Sequence, residues 1–202
     1  MKWKYITYFA AVFLITVACE KEPTRIDNFL IEFATVIKPA EQIAFQLDNH
    51  KILIPKELKD YSGKNGQRVT LNYTPLHGDT IKVNSVSDIF TGTVQKSNAV
   101  ADLRKDPVKI QSVWVGGNYL NLILEIEFYE KAHTIGLFRN MQSSSIDLHF
   151  AHSKNNDPPG YTKKLYASFS LADIKSADGS PTPFLLHVNT LNNERIFKLE
   201  VK

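Results

Sequence analysis

Between Tyr119 and Tyr129 the chain alternates with a period of two. Leu120, Leu122, Leu124, Ile126 and Phe128 fall on one face, and Asn121, Glu125 and Glu127 fall on the other. Successive side chains point to opposite faces of a strand, so this run buries its apolar face as a β-strand and not as a helix. One dry and one wet face is the pattern of an antiparallel sheet covered on one side. Gly116-Gly117-Asn118 is a turn signal joining this strand to one that holds Val108, Ile110 and Trp114. By parity with Val108 and Ile110, Trp114 is expected in the core. The alternation recurs in Ile146/Leu148/Phe150, Leu165/Ala167/Phe169/Leu171, Phe184/Leu186/Val188 and Phe197/Leu199/Val201. Turns fall at Asn155–Gly160, Asp178-Gly179 and Asn192-Asn193. Short strands at this spacing over about a hundred residues predict an antiparallel β-sandwich over 107–202.

The first half is also β. Candidate strands are Phe29–Ile37, Gln42–Leu47, Lys51–Ile54, Gln67–Thr74 and Thr80–Val86, with Asp48-Asn49 as a hairpin turn and Gly63 and Gly66 opening the fourth strand. Five short strands in this length suit a small OB-like barrel over 29–95. The polar stretch 96–106 is read as the linker between the domains, with Pro107 discouraging helix before it. The chain is therefore expected to be all-β, a small OB-like barrel followed by a sandwich.

Ahead of the barrel stands a targeting segment. Met1-Lys2-Trp3-Lys4 is a short basic region, and Tyr5–Ala18 is predominantly apolar. As a helix those residues would rise about 21 Å, short of the roughly 30 Å hydrocarbon core, which fits a signal peptide over 1–18 better than a membrane span. The segment ends Thr16-Val17-Ala18-Cys19, and Cys19 is the one cysteine of the chain. Small Ala18 before a lone cysteine marks Cys19 as a site of lipidation, by diacylglycerol and fatty acyl groups such as palmitate. Residues 19–28 then form a polar tether. Its acidic residues Glu20 and Glu22 resemble surface-export signals of Bacteroidetes lipoproteins. The expected location is the cell envelope, as an outer-membrane lipoprotein facing the periplasm or the surface, with the membrane a partner through Cys19.

Charge narrows the function. Losing the signal peptide lowers the formal net charge of +3 by Lys2 and Lys4, to near +1. Lys163-Lys164 and Arg104-Lys105 are the densest basic spots, too sparse for a phosphate-neutralising surface, so no nucleic-acid partner is expected.

Catalytic chemistry finds little support. There is no Gly-x-Ser-x-Gly elbow and no phosphate-cradling glycine loop. Glu125 and Glu127 share a face about 7 Å apart at Cα, a separation near that of glycosidase carboxylates, but wet-face acids of this kind are ordinary surface charge. His149 and His152 form a His-x-x-His that on a strand points to opposite faces. Asp147 and His149 share a face, two ligands where zinc wants three or four, so neither a metal nor a cofactor is expected. His149, His152 and the wet-face tyrosines Tyr119 and Tyr129 remain candidate binding residues. The tyrosines could equally cover the other domain.

The order of signal, small barrel and sandwich, with the run Trp114-Val115-Gly116-Gly117-Asn118-Tyr119-Leu120-Asn121-Leu122, resembles the NigD-like lipoproteins of Bacteroidetes. Asp147-Leu148-His149-Phe150-Ala151-His152 with Asp157, and Ser168-Phe169-Ser170-Leu171, are similar to further patches of that family. Ser153-Lys154 departs from the family pattern, and no role is carried over there. The resemblance implies an OB-like domain followed by a sandwich, and a bacteriocin-immunity role inferred from gene neighbourhood. The expectation is a non-enzymatic binding or accessory lipoprotein whose partner is an envelope protein, a toxin or a glycan. The alternatives are an envelope hydrolase using Glu125 and Glu127, or Asp147 with His149, and a purely structural envelope protein.

Overall fold

The computed structural model describes residues 28–202. The signal peptide, Cys19 and nearly all of the tether lie outside the described residues. Among those described, no helix is long and apolar enough to cross a membrane.

The first five strands are β1 (Leu30–Ile37), β2 (Ala44–Leu47), β3 (Ile52–Pro55), β4 (Arg68–Pro75) and β5 (Thr80–Asp88). They close into a barrel in the order β1-β2-β3-β5-β4, with β1 pairing β2 on one side and β4 on the other. The β3–β5 pair is parallel, and the remaining pairs are antiparallel. Closure removes the sheet edges, which suits a domain this small. The barrel is filled by the inward set of each strand, including Ala34, Val36, Phe45, Leu47, Leu53, Val69, Leu71, Tyr73 and Ile81. The β2–β3 hairpin turns through Asp48, Asn49 and His50. His50 sits at φ +69°, and the Asn49 side chain accepts the Lys51 N–H.

Eight strands build the sandwich: β6 (Phe90–Ser97), β7 (Lys109–Gly116), β8 (Tyr119–Phe128), β9 (Thr134–Asn140), β10 (Asp147–Ser153), β11 (Tyr161–Ser170), β12 (Thr182–Asn189) and β13 (Glu194–Val201). Their order is β13-β12-β10-β9-β6-β11-β8-β7. The first half of β6, Phe90–Thr93, pairs with β11, and its second half, Val94–Ser97, pairs with β9. One strand thus crosses from one layer to the other, the usual way a sheet turns a corner. The core lies between the layers and includes Leu120, Leu122, Leu124, Leu137, Leu148, Phe169 and Leu186, all at most 1 % exposed. Burying each large aliphatic side chain contributes roughly 1.5–3 kcal/mol.

Three sequence expectations change. First, residues 90–95 belong to the sandwich, and β5 and β6 are separated by Ile89 alone, which is buried. Second, 96–106 is not an interdomain linker. Lys96 and Ser97 end β6, and the following segment runs along the sandwich, where Asp106 N–H donates to the His152 carbonyl and His152 N–H to the Arg104 carbonyl. Third, β7 carries a bulge between Ile110 and Ser112. The bulge inverts the parity beyond it. Ile110, Val113 and Val115 therefore pack on the sandwich core, while Trp114 turns to the opposite face and meets Phe33 of β1, ring centroids 4.9 Å apart.

Candidate functional site

The outer face of β7, β8 and β11 is the seat of the barrel. Along β8 this face runs from dry to wet: Asn121 is fully buried, Ile123 and Glu125 are half-buried, and Glu127 is exposed. At the dry end, Arg68 of β4 is driven into the sandwich and is 1 % exposed. Its Nη1 lies 2.7 Å from Asp48 Oδ1 and donates to Thr35 Oγ1 at 3.0 Å. Its Nη2 donates to Asn121 Oδ1 at 3.0 Å, and its Nε to Ser168 Oγ at 3.2 Å. Asn121 Nδ2 donates to Asp48 Oδ2 at 2.8 Å, and Ser168 Oγ–H to Asn121 Oδ1 at 2.6 Å. Tyr119 closes the cluster, its ring centroid 4.4 Å from the Arg68 guanidinium carbon. The guanidinium is neutralised, hydrogen-bonded and stacked, as a buried arginine requires.

The turns of the two domains also meet here. A Cβ on Gly116 would stand 2.8 Å from Asp48 Oδ2, and one on Gly117, whose φ is +55°, 3.1 Å from the Asp48 Cα. Only glycine lets the β7–β8 turn approach the β2–β3 turn this closely.

Beside this latch the domains separate into two neighbouring hollows. One, of about 430 Å³, lies between Phe33, Asp48 and Asn49 of the barrel and Trp114, Ile123 and Tyr166 of the sandwich. The other, of about 460 Å³, is bordered by Ser85, Asp88, Phe90, Lys164 and Leu165. Ile31, Thr70 and Tyr166 line both, so the two form one crevice. Ile31 is 62 % exposed and Phe90 41 %, an unusual position for large apolar side chains beside aromatic ones.

The four binding residues expected from sequence do not converge. Tyr119 belongs to the interdomain latch. Tyr129 is exposed just past the end of β8. His149 points outward from β10, and its ring stacks on His187 of β12. His152 is buried and faces inward. Sequence reading missed Arg68, Asn121 and His187. A lone arginine opening a barrel strand is the one local signal that marked the first.

His152 belongs to a closed relay. Its Nδ1 lies 3.0 Å from the Asp106 carbonyl, an obligate acceptor, so Nδ1 carries a proton. Burial, with the backbone bond to Asp106 opposing it and the neighbouring His133 adding to it, lowers the His152 pKa and keeps the ring neutral. His152 Nε2 therefore accepts from His133 Nδ1 at 2.9 Å. His133 Nε2 lies 3.2 Å from the Asp157 carboxylate. His133 thus bridges the His152 ring and the Asp157 carboxylate. Asp157 also accepts the N–H groups of Tyr129, Glu130 and Lys131. Burial raises its pKa, but these donors and His133 together outweigh burial and hold the carboxyl well below the usual range. The relay ties the β8–β9 loop, β10 and the segment before β7 together, without opening to solvent.

The carboxylates weighed for hydrolysis are each occupied. Glu125 Oε2 pairs with Lys109 at 2.9 Å, and Glu127 with Lys154 at 3.4 Å. Asp147 accepts from Ser145 Oγ at 2.9 Å, and bonds to Ser143 and Ser145 lower its pKa against the opposing effect of burial. None of these pairs faces a cleft between two carboxylates.

Residues 92–201 match the family model described as the NigD-like C-terminal beta sandwich domain. None of the curated proteins matches the chain. Among solved structures, a protein described as toxin-related from Parabacteroides distasonis superposes with a TM-score of 0.78 at 25 % identity, over 87 % of this chain and 94 % of that one. A NigD-like immunity protein from Bacteroides caccae aligns with a TM-score of 0.69 at 24 % identity, over 84 % and 90 %. A protein described as a lipoprotein from Bacteroides fragilis aligns with 0.66 at 12 % identity, over 86 % and 98 %. The last two report on the fold alone.

Proposed function

Since the chain belongs to the family defined by the NigD-like C-terminal β-sandwich domain, we propose that it is a lipid-anchored, non-enzymatic protein of the cell envelope that captures a polypeptide partner in the crevice between its two domains. The observation that carries this reading is the crevice itself. Exposed Ile31 and Phe90 flank half-buried Tyr166 and Trp114 on two domains locked together by Arg68. A preformed apolar groove with aromatic anchors and a polar rim is what protein recognition uses, and it binds without an ordering cost. The structural neighbour at 25 % identity is described as toxin-related, which is in keeping with a protein-binding role. Cys19 supplies the anchor, in the outer membrane, facing either the periplasm or the surface.

The test is affinity capture with the full-length tagged protein from detergent-solubilised envelopes, beside Ile31→Asp and Tyr166→Asp variants. A specific protein is recovered with the parent and lost with both variants, whose thermal unfolding stays unchanged. Recovery of no specific protein, or recovery equal in all three, overturns the crevice as the binding surface. Retention of glycan instead of protein would reassign the partner class. Cys19→Ser moves the chain from the membrane to the soluble fraction; unchanged fractionation would remove the anchor from the proposal.

A further inference from the structure

Far from the crevice, the outer face of the other sandwich layer gathers two histidines and a glutamate from three strands. The parallel register of β10 and β12 sets His149 directly beside His187. Their rings stack with centroids 4.4 Å apart and planes 15° apart. From β13, Glu194 reaches back, its Oε2 3.2 Å from His187 Nδ1. One donor atom from each of the three lies within 4.8 Å of the other two. His149 Nδ1 and His187 Nε2 are both buried and have no hydrogen-bond partner among the described residues. Buried polar atoms are almost always satisfied, and two unsatisfied imidazole nitrogens in one stack call for a ligand that accepts lone pairs.

We propose that His149, His187 and Glu194 form a binding site for a divalent transition-metal cation of the zinc class. Two imidazoles and a carboxylate are borderline ligands that suit zinc, cobalt, nickel or copper and not magnesium or calcium. With metal–ligand bonds of about 2.0–2.1 Å, His187 Nδ1 and Glu194 Oε2, 3.2 Å apart, already subtend about 100° at a metal, and the wider separations of up to 4.8 Å must close by side-chain rotation on binding. His187 can contribute through Nδ1, beside Glu194, or through the unpartnered Nε2. The His149 ring is suited to the role because burial, with His187 and Lys105 adding to it, lowers its pKa and keeps its lone pair free. Asp147 shares the face but is engaged by Ser145 and stands outside the triad. Three protein ligands leave at least one coordination position open to solvent or to a group on a partner. The sequence expectation of no metal rested on His149 with His152, which point to opposite faces, and on Asp147 with His149. The other two ligands, His187 and Glu194, are invisible without the β10–β12 and β12–β13 pairings.

The probe is Co²⁺, titrated into the purified full-length protein with Cys19 blocked by its lipid or by alkylation, since a free thiol would compete. The expected result is visible d–d absorption that saturates at one equivalent. It is lost in His149→Gln and His187→Gln, and it is bound about tenfold or more weakly in Glu194→Gln, an exposed position whose change leaves the fold intact. Zinc displaces the cobalt signal, and magnesium does not. Circular dichroism of the histidine variants matching the parent ties the loss to the ligands. Absence of saturable binding, or binding undiminished in Glu194→Gln and in both histidine variants, overturns the site.

Discussion

Arg68 and Asn121 stand 53 positions apart in the chain, on different domains, with Nη2 and Oδ1 3.0 Å apart inside a region closed to water. Asn121 was expected on a wet strand face, and it is dry because the barrel sits on it. The pair is therefore the point at which one domain makes sense of the other's sequence. Together with Asp48, Ser168 and Thr35 it ties the barrel to the sandwich beside the crevice.

Replacing Arg68 by Met leaves the Asp48 carboxylate and the Asn121 and Ser168 side chains without their shared partner. Removing one member of a buried ion pair costs about 3–5 kcal/mol. Arg68→Met should show that loss in urea unfolding, and the single transition should broaden or split as the barrel and sandwich uncouple. Arg68→Lys should recover little, because an ammonium cannot present the planar fork that reaches Asp48, Asn121 and Ser168 together. A variant with parental stability and a single transition would show that the latch contributes nothing to coupling.

Gly117 tests the contact between turns. Alanine there meets both a left-handed backbone, costing about 1–2 kcal/mol, and the Asp48 main chain. Gly66, at φ +83°, carries the first penalty with open space around it. Gly117→Ala should therefore destabilise more than Gly66→Ala in the same denaturant series. Equal losses would mean that the β2–β3 turn moves aside without cost.

Much of this architecture was legible in the sequence, and the failures share a cause. Strands facing one core and water, such as β8, declare themselves by alternation. The barrel strands and their hairpin at Asp48 did the same. β6 did not, because it changes partners midway and shows only Val94 and Gly92 to the core region, where a Cβ on Gly92 would strike the Phe169 ring. β9 was also missed, its alternation broken by Gly136. Trp114 was assigned to the wrong face because a single bulge residue resets the period. The site residues were harder still. Arg68, Asn121 and Ser168 acquire meaning only when two domains dock, and His149 gains His187 only through a parallel pairing that local pattern cannot announce.

Acid should weaken this protein at a higher pH than carboxylate protonation alone would explain. Burial lowers the pKa of both His149 and His152 from the ordinary 6.5. The unfolded chain then takes up protons that the native chain refuses, so stability is complete above about pH 6.5 and falls as pH drops through that value toward the native pKa values. Thermal unfolding followed from about pH 7.5 down to about pH 5 should show a falling midpoint. His152→Gln should be less stable at pH 7.5 and should flatten the slope. A midpoint constant across that range would contradict the buried neutral assignment. Addition of zinc should restore part of the acid-sensitive loss if His149 is held as a ligand.

Asp157 acts in the opposite chemical sense and lower on the pH scale. Burial raises its pKa, but three backbone N–H groups and the hydrogen bond to His133 outweigh burial and hold its carboxyl well below the ordinary value. A depressed native carboxyl binds fewer protons than the unfolded one, so its contribution is full above about pH 3.9 and is lost as pH falls through the native value. Asp157→Asn keeps one oxygen to accept loop N–H groups but loses the charge and the second oxygen that those groups and His133 share. The variant should be clearly less stable at neutral pH, and its deficit should shrink below about pH 4 as the parental carboxylate begins to protonate. Ring-proton NMR gives the independent reading. The His133 ring resonances should move between the parent and Asp157→Asn, because the carboxylate that faces Nε2 is gone. An unchanged His133 signal in the variant would mean that the ring does not hold the Asp157 side chain in solution, and that the loop N–H groups alone keep it in place.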